Sequence, residues 1–151
     1  MKGFTLIEIL VAVGIAMVIV GGVIVNYNAY NDTQKVKQVA QTLKNNLRFA
    51  QAQALAGRKP TSGCTTLVGF TVTLASGSYS IQAECSEGLT GEVKTTTLPT
   101  GVSLSPAPSA LTFQAVRGSI AAATTMTLAS ETKSYQIQVS ENGDMTDVGF
   151  Q

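Results

Sequence analysis

Apolar positions follow three patterns along the chain. From Phe4 to Val25 the sequence FTLIEILVAVGIAMVIVGGVIV is apolar on every side of a helical wheel, and Glu8 is its only charge. A helix over these 22 residues would be roughly 33 Å long, enough to cross a hydrocarbon core of about 30 Å. No small-residue cleavage site follows Val25. Tyr27 and Tyr30 come next instead, near the expected water boundary where amphipathic rings settle. The segment therefore reads as an anchor and not as a removable secretory signal. Beyond it the pattern narrows to a stripe: Val36, Ala40, Leu43, Leu47, Ala50 and Ala54 fall on one side of a wheel turned 100° per residue, a face that should bury against a sheet. Gly57 and Pro60 stand in the order that ends a helix, so one helix is expected from Phe4 to Ala56.

The rest of the chain alternates with period two between turn residues. Strands are expected at Leu67 to Leu74 and Tyr79 to Cys85, with Ala75-Ser76-Gly77-Ser78 as the turn, then at Val93 to Leu98 and Leu111 to Val116. Met126 to Leu128 and Ser134 to Ser140 form a further hairpin. Asn142-Gly143 reads as a type I′ turn before a closing strand, Met145 to Phe150. Six to eight short strands with one helix packed on them make an α+β fold, a long N-terminal helix on a small antiparallel β-sheet head. The division is residues 1–3, a leader; 4–25, the apolar segment; 26–57, the amphipathic half of the helix; and 58–151, the β-rich head.

Composition removes several kinds of chemistry. The chain has 10 basic and 9 acidic residues, no histidine and two cysteines. Zinc sets, imidazole acid-base pairs and Ser-His or Cys-His nucleophiles are thereby excluded, and net charge gives no reason to expect a polyanionic partner. No glycine-rich phosphate loop and no paired-carboxylate spacing stands out, so neither catalytic residues nor a cofactor is expected. Glu141, Asp144 and Asp147 lack the alternating oxygen ligands of a calcium loop and read as a solvated turn.

Glu8 is the informative charge. A carboxylate placed centrally in a bilayer costs on the order of 2.5–3.5 kcal/mol to insert. Either it snorkels to the headgroups or something neutralises it. With Lys2 before it, Gly3-Phe4-Thr5-Leu6-Ile7-Glu8 resembles the prepilin motif of type IV pilins and type II secretion pseudopilins. The resemblance implies that a prepilin peptidase cuts after Gly3 on the cytoplasmic side and that the new Phe4 amine is methylated. It assigns processing to Gly3 and Phe4 and assembly to Thr5 and Glu8, whose carboxylate pairs with the Phe4 amine of a neighbouring subunit. A buried carboxylate facing a buried ammonium removes the cost that each carries alone. The leader Met1-Lys2-Gly3 is shorter than the family usually shows. Gly14, Gly21 and Gly22 fall in the helix, where close packing between helices is one account of them.

In the head, Leu98-Pro99-Thr100-Gly101-Val102, Leu111-Thr112-Phe113, Arg117-Gly118 and Tyr135-Gln136-Ile137-Gln138-Val139-Ser140 before Asn142-Gly143 resemble minor pseudopilins and minor pilins of the GspH/FimT type. That implies a structural subunit, not an enzyme, of a type IV pilus or secretion pseudopilus, at or near a filament tip. Its implied partners are other pilin subunits, the prepilin peptidase, an inner-membrane assembly platform, and membrane lipid before assembly. It would be a single-pass inner-membrane protein with its head outside the cytoplasm.

A less favoured reading is a DNA-binding minor pilin of an uptake filament, contacting DNA through Lys37, Lys44, Arg48, Arg58 and Lys59. A solvated helix face is the plainer account of the first three. Where related DNA-binding minor pilins carry a glycine-arginine motif, this chain has Gly143-Asp144-Met145-Thr146-Asp147, with acid in place of the arginines. Cys64 and Cys85 both lie beyond the anchor, where an even count favours a disulfide. With the hairpin centred near Gly77, Cys85 falls opposite Val68 and within bridging reach of Cys64.

Overall fold

The computed structural model describes residues 3–105 and 109–151, and for residues 21–29 the backbone alone. Met1 and Lys2 of the leader, and everything beyond the backbone of residues 21–29, which include Gly21, Gly22, Tyr27 and the end of the expected anchor, lie outside that description. Helix α1 runs Leu6–Leu55. Ala56 caps it through its N–H to the Ala52 carbonyl, and the chain turns away at Gly57, close to where the glycine–proline signal ends the pattern. Among the described residues no helix is long and apolar enough to cross a membrane.

Among the described residues eight strands follow: β1 Leu67–Ala75, β2 Ser78–Cys85, β3 Gly88–Thr97, β4 Ser103–Ser105, β5 Ala110–Gln114, β6 Thr124–Ala129, β7 Ser134–Val139 and β8 Met145–Phe150. They form two antiparallel sheets of four strands, ordered β3-β2-β1-β5 and β4-β6-β7-β8. The second half of α1 covers both. The stripe expected from the sequence is the one that packs: Val36, Leu43, Leu47, Ala50 and Ala54 have no exposed surface and Ala40 has 1%. Against it lie Val72, Leu111 and Phe113 of the first sheet and Met126, Leu128, Ile137 and Val139 of the second. Alternation along each strand sends these residues inward and Thr, Ser and Gln outward.

Two glycines of the head motifs are explained by the helix. The side-chain amide of Gln51 donates to the carbonyls of Gly118 and Gly143, each at 3.2 Å. Both glycines have positive φ, 64° and 85°. A Cβ on Gly143 would lie 2.4 Å from the Gly118 carbonyl oxygen, and one on Gly118 would lie 2.8 Å from Leu55 Cγ. The β5–β6 and β7–β8 turns therefore close on the end of α1 only because neither residue has a side chain.

Several strand bounds differ from expectation. The hairpin of β1 and β2 closes at Ser76-Gly77, with Leu67 opposite Cys85 and a register shift between Leu67 and Gly69. β3 begins at Gly88, five residues before the strand expected at Val93, because Ser86-Glu87 makes a tight turn and Gly88, Leu89 and Thr90 pair with Cys85, Glu84 and Ala83 of β2 before a register shift that resumes at Lys94. The three-residue β4 was not expected. The Asn142-Gly143 turn is not type I′, which needs positive φ at both central residues. Only Gly143 has it, and the loop closes through the Gly143 N–H to the Ser140 carbonyl, 2.8 Å, and the Ser140 N–H to the Asp144 carbonyl, 2.9 Å.

Candidate functional site: the N-terminal arm

The first turns of α1 make no core. Leu6, Ile7, Leu10, Met17 and Val18 are each at least 66% exposed, and every described residue from Gly3 to Val20 is exposed. Straight-chain and branched apolar residues with no partner in their own chain form a rod whose surface is complete only against lipid or other helices. Nothing lies within 4 Å of a Cβ built on Gly14, so packing inside this chain does not explain the glycine.

Glu8 sits at the start of this rod. Thr5 is the N-cap of α1, with extended backbone, and its carbonyl accepts the N–H of Glu8 at 3.1 Å and of Ile9 at 3.3 Å. Thr5 and Glu8 have the spacing of a capping box, yet Thr5 makes no side-chain cap bond. The carboxylate is exposed in the first turn, on the positive end of the helix dipole, and has no ion-pair partner among the described residues. Phe4, the preceding aromatic residue, is 78% exposed. Among the described residues the arm thus presents one anion without an ion-pair partner, about one helical turn from Phe4.

The basic residues do not gather. Lys44 ion-pairs with Asp147 of β8, on the flank of α1 that meets the second sheet. Lys37 and Arg48 are exposed on that same flank of the wheel. Arg58 and Lys59 lie past the helix end, beside the first sheet, where the Lys59 ammonium donates to the Thr65 carbonyl at 2.5 Å. The five cations are split between two flanks, and one of them is already neutralised.

Cys64 and Cys85 form a disulfide with Cα atoms 5.4 Å apart, tying the loop after α1 to the end of β2. Beside it Glu87 receives the Thr65 N–H at 3.2 Å on both carboxylate oxygens. Hydrogen bonds from the Thr65 side chain and backbone hold this carboxyl well below its usual 4.5, at about 2. Burial pushes the Tyr135 phenol up, and the neighbouring Asp147 carboxylate adds to the shift. The sequence reading missed the Glu87–Thr65 contact because neither residue belongs to a pattern. It also missed a groove around Phe49, although that residue is an apolar position off the buried stripe and so could have flagged it. No group of metal-holding side chains occurs among the described residues.

Residues 39–143, about two thirds of the chain, match the family model described as type II transport protein GspH, and residues 1–24 match the model of the prokaryotic N-terminal methylation motif. No curated protein and no solved structure matches the chain.

Proposed function

The chain belongs to the GspH family of type II transport proteins, and from that premise we propose that its arm is a processed assembly element that first anchors it in the bacterial inner membrane. It is a structural subunit, a pseudopilin or minor pilin of a type II secretion pseudopilus or a type IV pilus. In this reading residues 4–25 cross the membrane once, leaving the head outside the cytoplasm. A prepilin peptidase removes residues 1–3, and the Phe4 amine, once methylated, meets Glu8 of a neighbouring subunit as the assembly platform lifts the chain from lipid into the filament. Low copy number and a place near the filament tip fit the GspH type.

The observation that carries this reading is the lone exposed carboxylate of Glu8 on an otherwise apolar, wholly exposed rod. Such a charge is costly in hydrocarbon and needs a cation in the assembled state. The pair fixes axial register as well as charge, because the amine and the carboxylate meet at only one offset between helices. The test is Glu8→Ala: the variant stays in the membrane fraction but is depleted from sheared filaments. Normal incorporation would remove Glu8 from the mechanism.

A further inference from the structure

On the side of the head away from Lys44, α1 and the first sheet do not close against each other. The space between them is an open groove of about 870 Å³. Phe49, Phe70 and Ile81 form its floor. Phe49 is 41% exposed although it sits between the buried Leu47 and Ala50, and Val93 at the groove wall is 52% exposed. The rim is cationic: Arg58, Lys59 and Lys94 stand against one acid, Glu92. Lys94 is held there, 4.5 Å above the Phe49 ring and donating to the Asn46 side-chain oxygen at 2.9 Å. Asn46 is itself anchored to the Tyr79 hydroxyl at 2.6 Å. Arg58 makes no such bond among the described residues.

The outer wall of this groove is β3, the ten-residue end strand of its sheet, with no neighbouring strand on its far side among the described residues. Its register shows which backbone groups are free. The Leu98 N–H bonds the Gly77 carbonyl, and Thr97 lies opposite Ser78, Thr96 opposite Tyr79 and Thr95 opposite Ser80. Antiparallel pairs alternate between bonded and unbonded, so Thr95 and Thr97 direct their N–H and C=O groups away from β2, toward the open edge. The register shift that separates Thr90 from Lys94 and the charges of Glu92 and Lys94 guard the first part of this edge. Past them, at Thr95–Thr97, the edge is open, and an open edge beside an apolar floor with a positive rim is the arrangement that captures an extended peptide by adding a strand.

We propose that this groove and the β3 edge bind an extended polypeptide segment of another protein, one that carries acidic residues next to aromatic or branched apolar ones. Backbone pairing along Thr95 and Thr97 supplies affinity for any extended chain. The Phe49 floor selects the apolar side chain, and Arg58, Lys59 and Lys94 select the acid. Duplex DNA fits less well, because a phosphate backbone gains nothing from the aromatic floor and is repelled by Glu92. The inference concerns the head alone and stands whether or not Glu8 acts in assembly.

The test is to pan a random twelve-residue peptide display library against the full chain in detergent micelles and to measure the selected peptides by fluorescence anisotropy. Selected sequences should pair acidic with aromatic or branched residues and weaken as salt rises. They should slow amide exchange in β3 and lose about fivefold in affinity on Arg58→Glu, the scale of one rim ion pair. Thr95→Pro, which removes an outward donor and no bond to β2, should abolish that protection of β3. If the proline variant misfolds, Arg58→Glu still decides. Four results would overturn the proposal: no enrichment over scrambled peptides, selected peptides indifferent to Arg58→Glu, tighter binding of duplex DNA through the same cation, or self-association of the chain that Arg58→Glu abolishes.

Discussion

The two halves of α1 are both rich in apolar residues, yet one half is bare and the other is buried. In the first, Leu6 and Leu10 are 82% and 66% exposed. In the second, Leu43 and Leu47 have no exposed surface at all. The difference lies in the arrangement of polar residues. Between Val36 and Ala54 the polar positions hold one side of the helix, leaving a stripe that two β-sheets can cover. From Leu6 to Val20 Glu8 is the one charged side chain, and no single face is marked for the head. A helix apolar all round needs an apolar surround, whereas a striped one needs only a sheet. The same element is thus part of the head's core at one end and an apolar rod without a partner in its own chain at the other.

The comparison breaks most visibly if the charge in the arm is removed. Glu8→Ala should lower the amount of subunit in sheared filaments more than about tenfold, since losing one partner of a buried ion pair costs on the order of 3–5 kcal/mol. Head stability should not change. Leu47→Ala in the buried half should destabilise the head by about 2–5 kcal/mol in urea titrations of the full chain in detergent. Leu10→Ala, the same chemistry in the exposed half, should leave the urea midpoint where it was. An equal loss from both would erase the distinction between the halves.

Replacing Cys64 by Ser should cost about 3 kcal/mol on the chain-entropy account, because the bridge closes a loop with a sequence separation of 21. The smallest effect belongs to Glu87, which is fully exposed. Its carboxyl titrates lower in the folded chain than its usual 4.5, so its contribution is present above that value and is lost as pH falls toward about 2. Glu87→Gln should therefore lower the urea midpoint slightly at pH 7 and leave it unchanged near pH 2. A difference that grows on acidification would contradict the hydrogen-bond account.

What could be read from the sequence follows from the range of the interactions. The buried stripe, the end of α1 and the β1–β2 hairpin depend on periodicity and turn residues within a few positions, and they stand where the pattern puts them. The Cys64–Cys85 bridge follows from that hairpin once its register is nearly right. The division into two sheets depends on which strands pair across long separations, as β5 does with β1, and no local pattern carries that. Gly88 to Thr90 carries no strand signal of its own because glycines flank a short run, while the neighbouring strand supplies the pairing. Asn142-Gly143 was visible as a turn and Arg117-Gly118 as a pair following an expected strand, but the reason for both glycines, Gln51 reaching into two loops from the helix, is a tertiary contact. In the arm the sequence carried the motif itself, which the methylation-motif model matches over residues 1–24. The groove beside Phe49 was not legible, since it arises from a gap between helix and sheet.

The claim on which the assembly reading rests is that the chain exposes a new amine at Phe4, one helical turn from an unpaired carboxylate. Mass spectrometry of the N-terminal peptide, from protein recovered from cells with an active prepilin peptidase, measures this directly. The account predicts a chain that begins at Phe4 with a methylated amine. A chain that still carries residues 1–3 would contradict it.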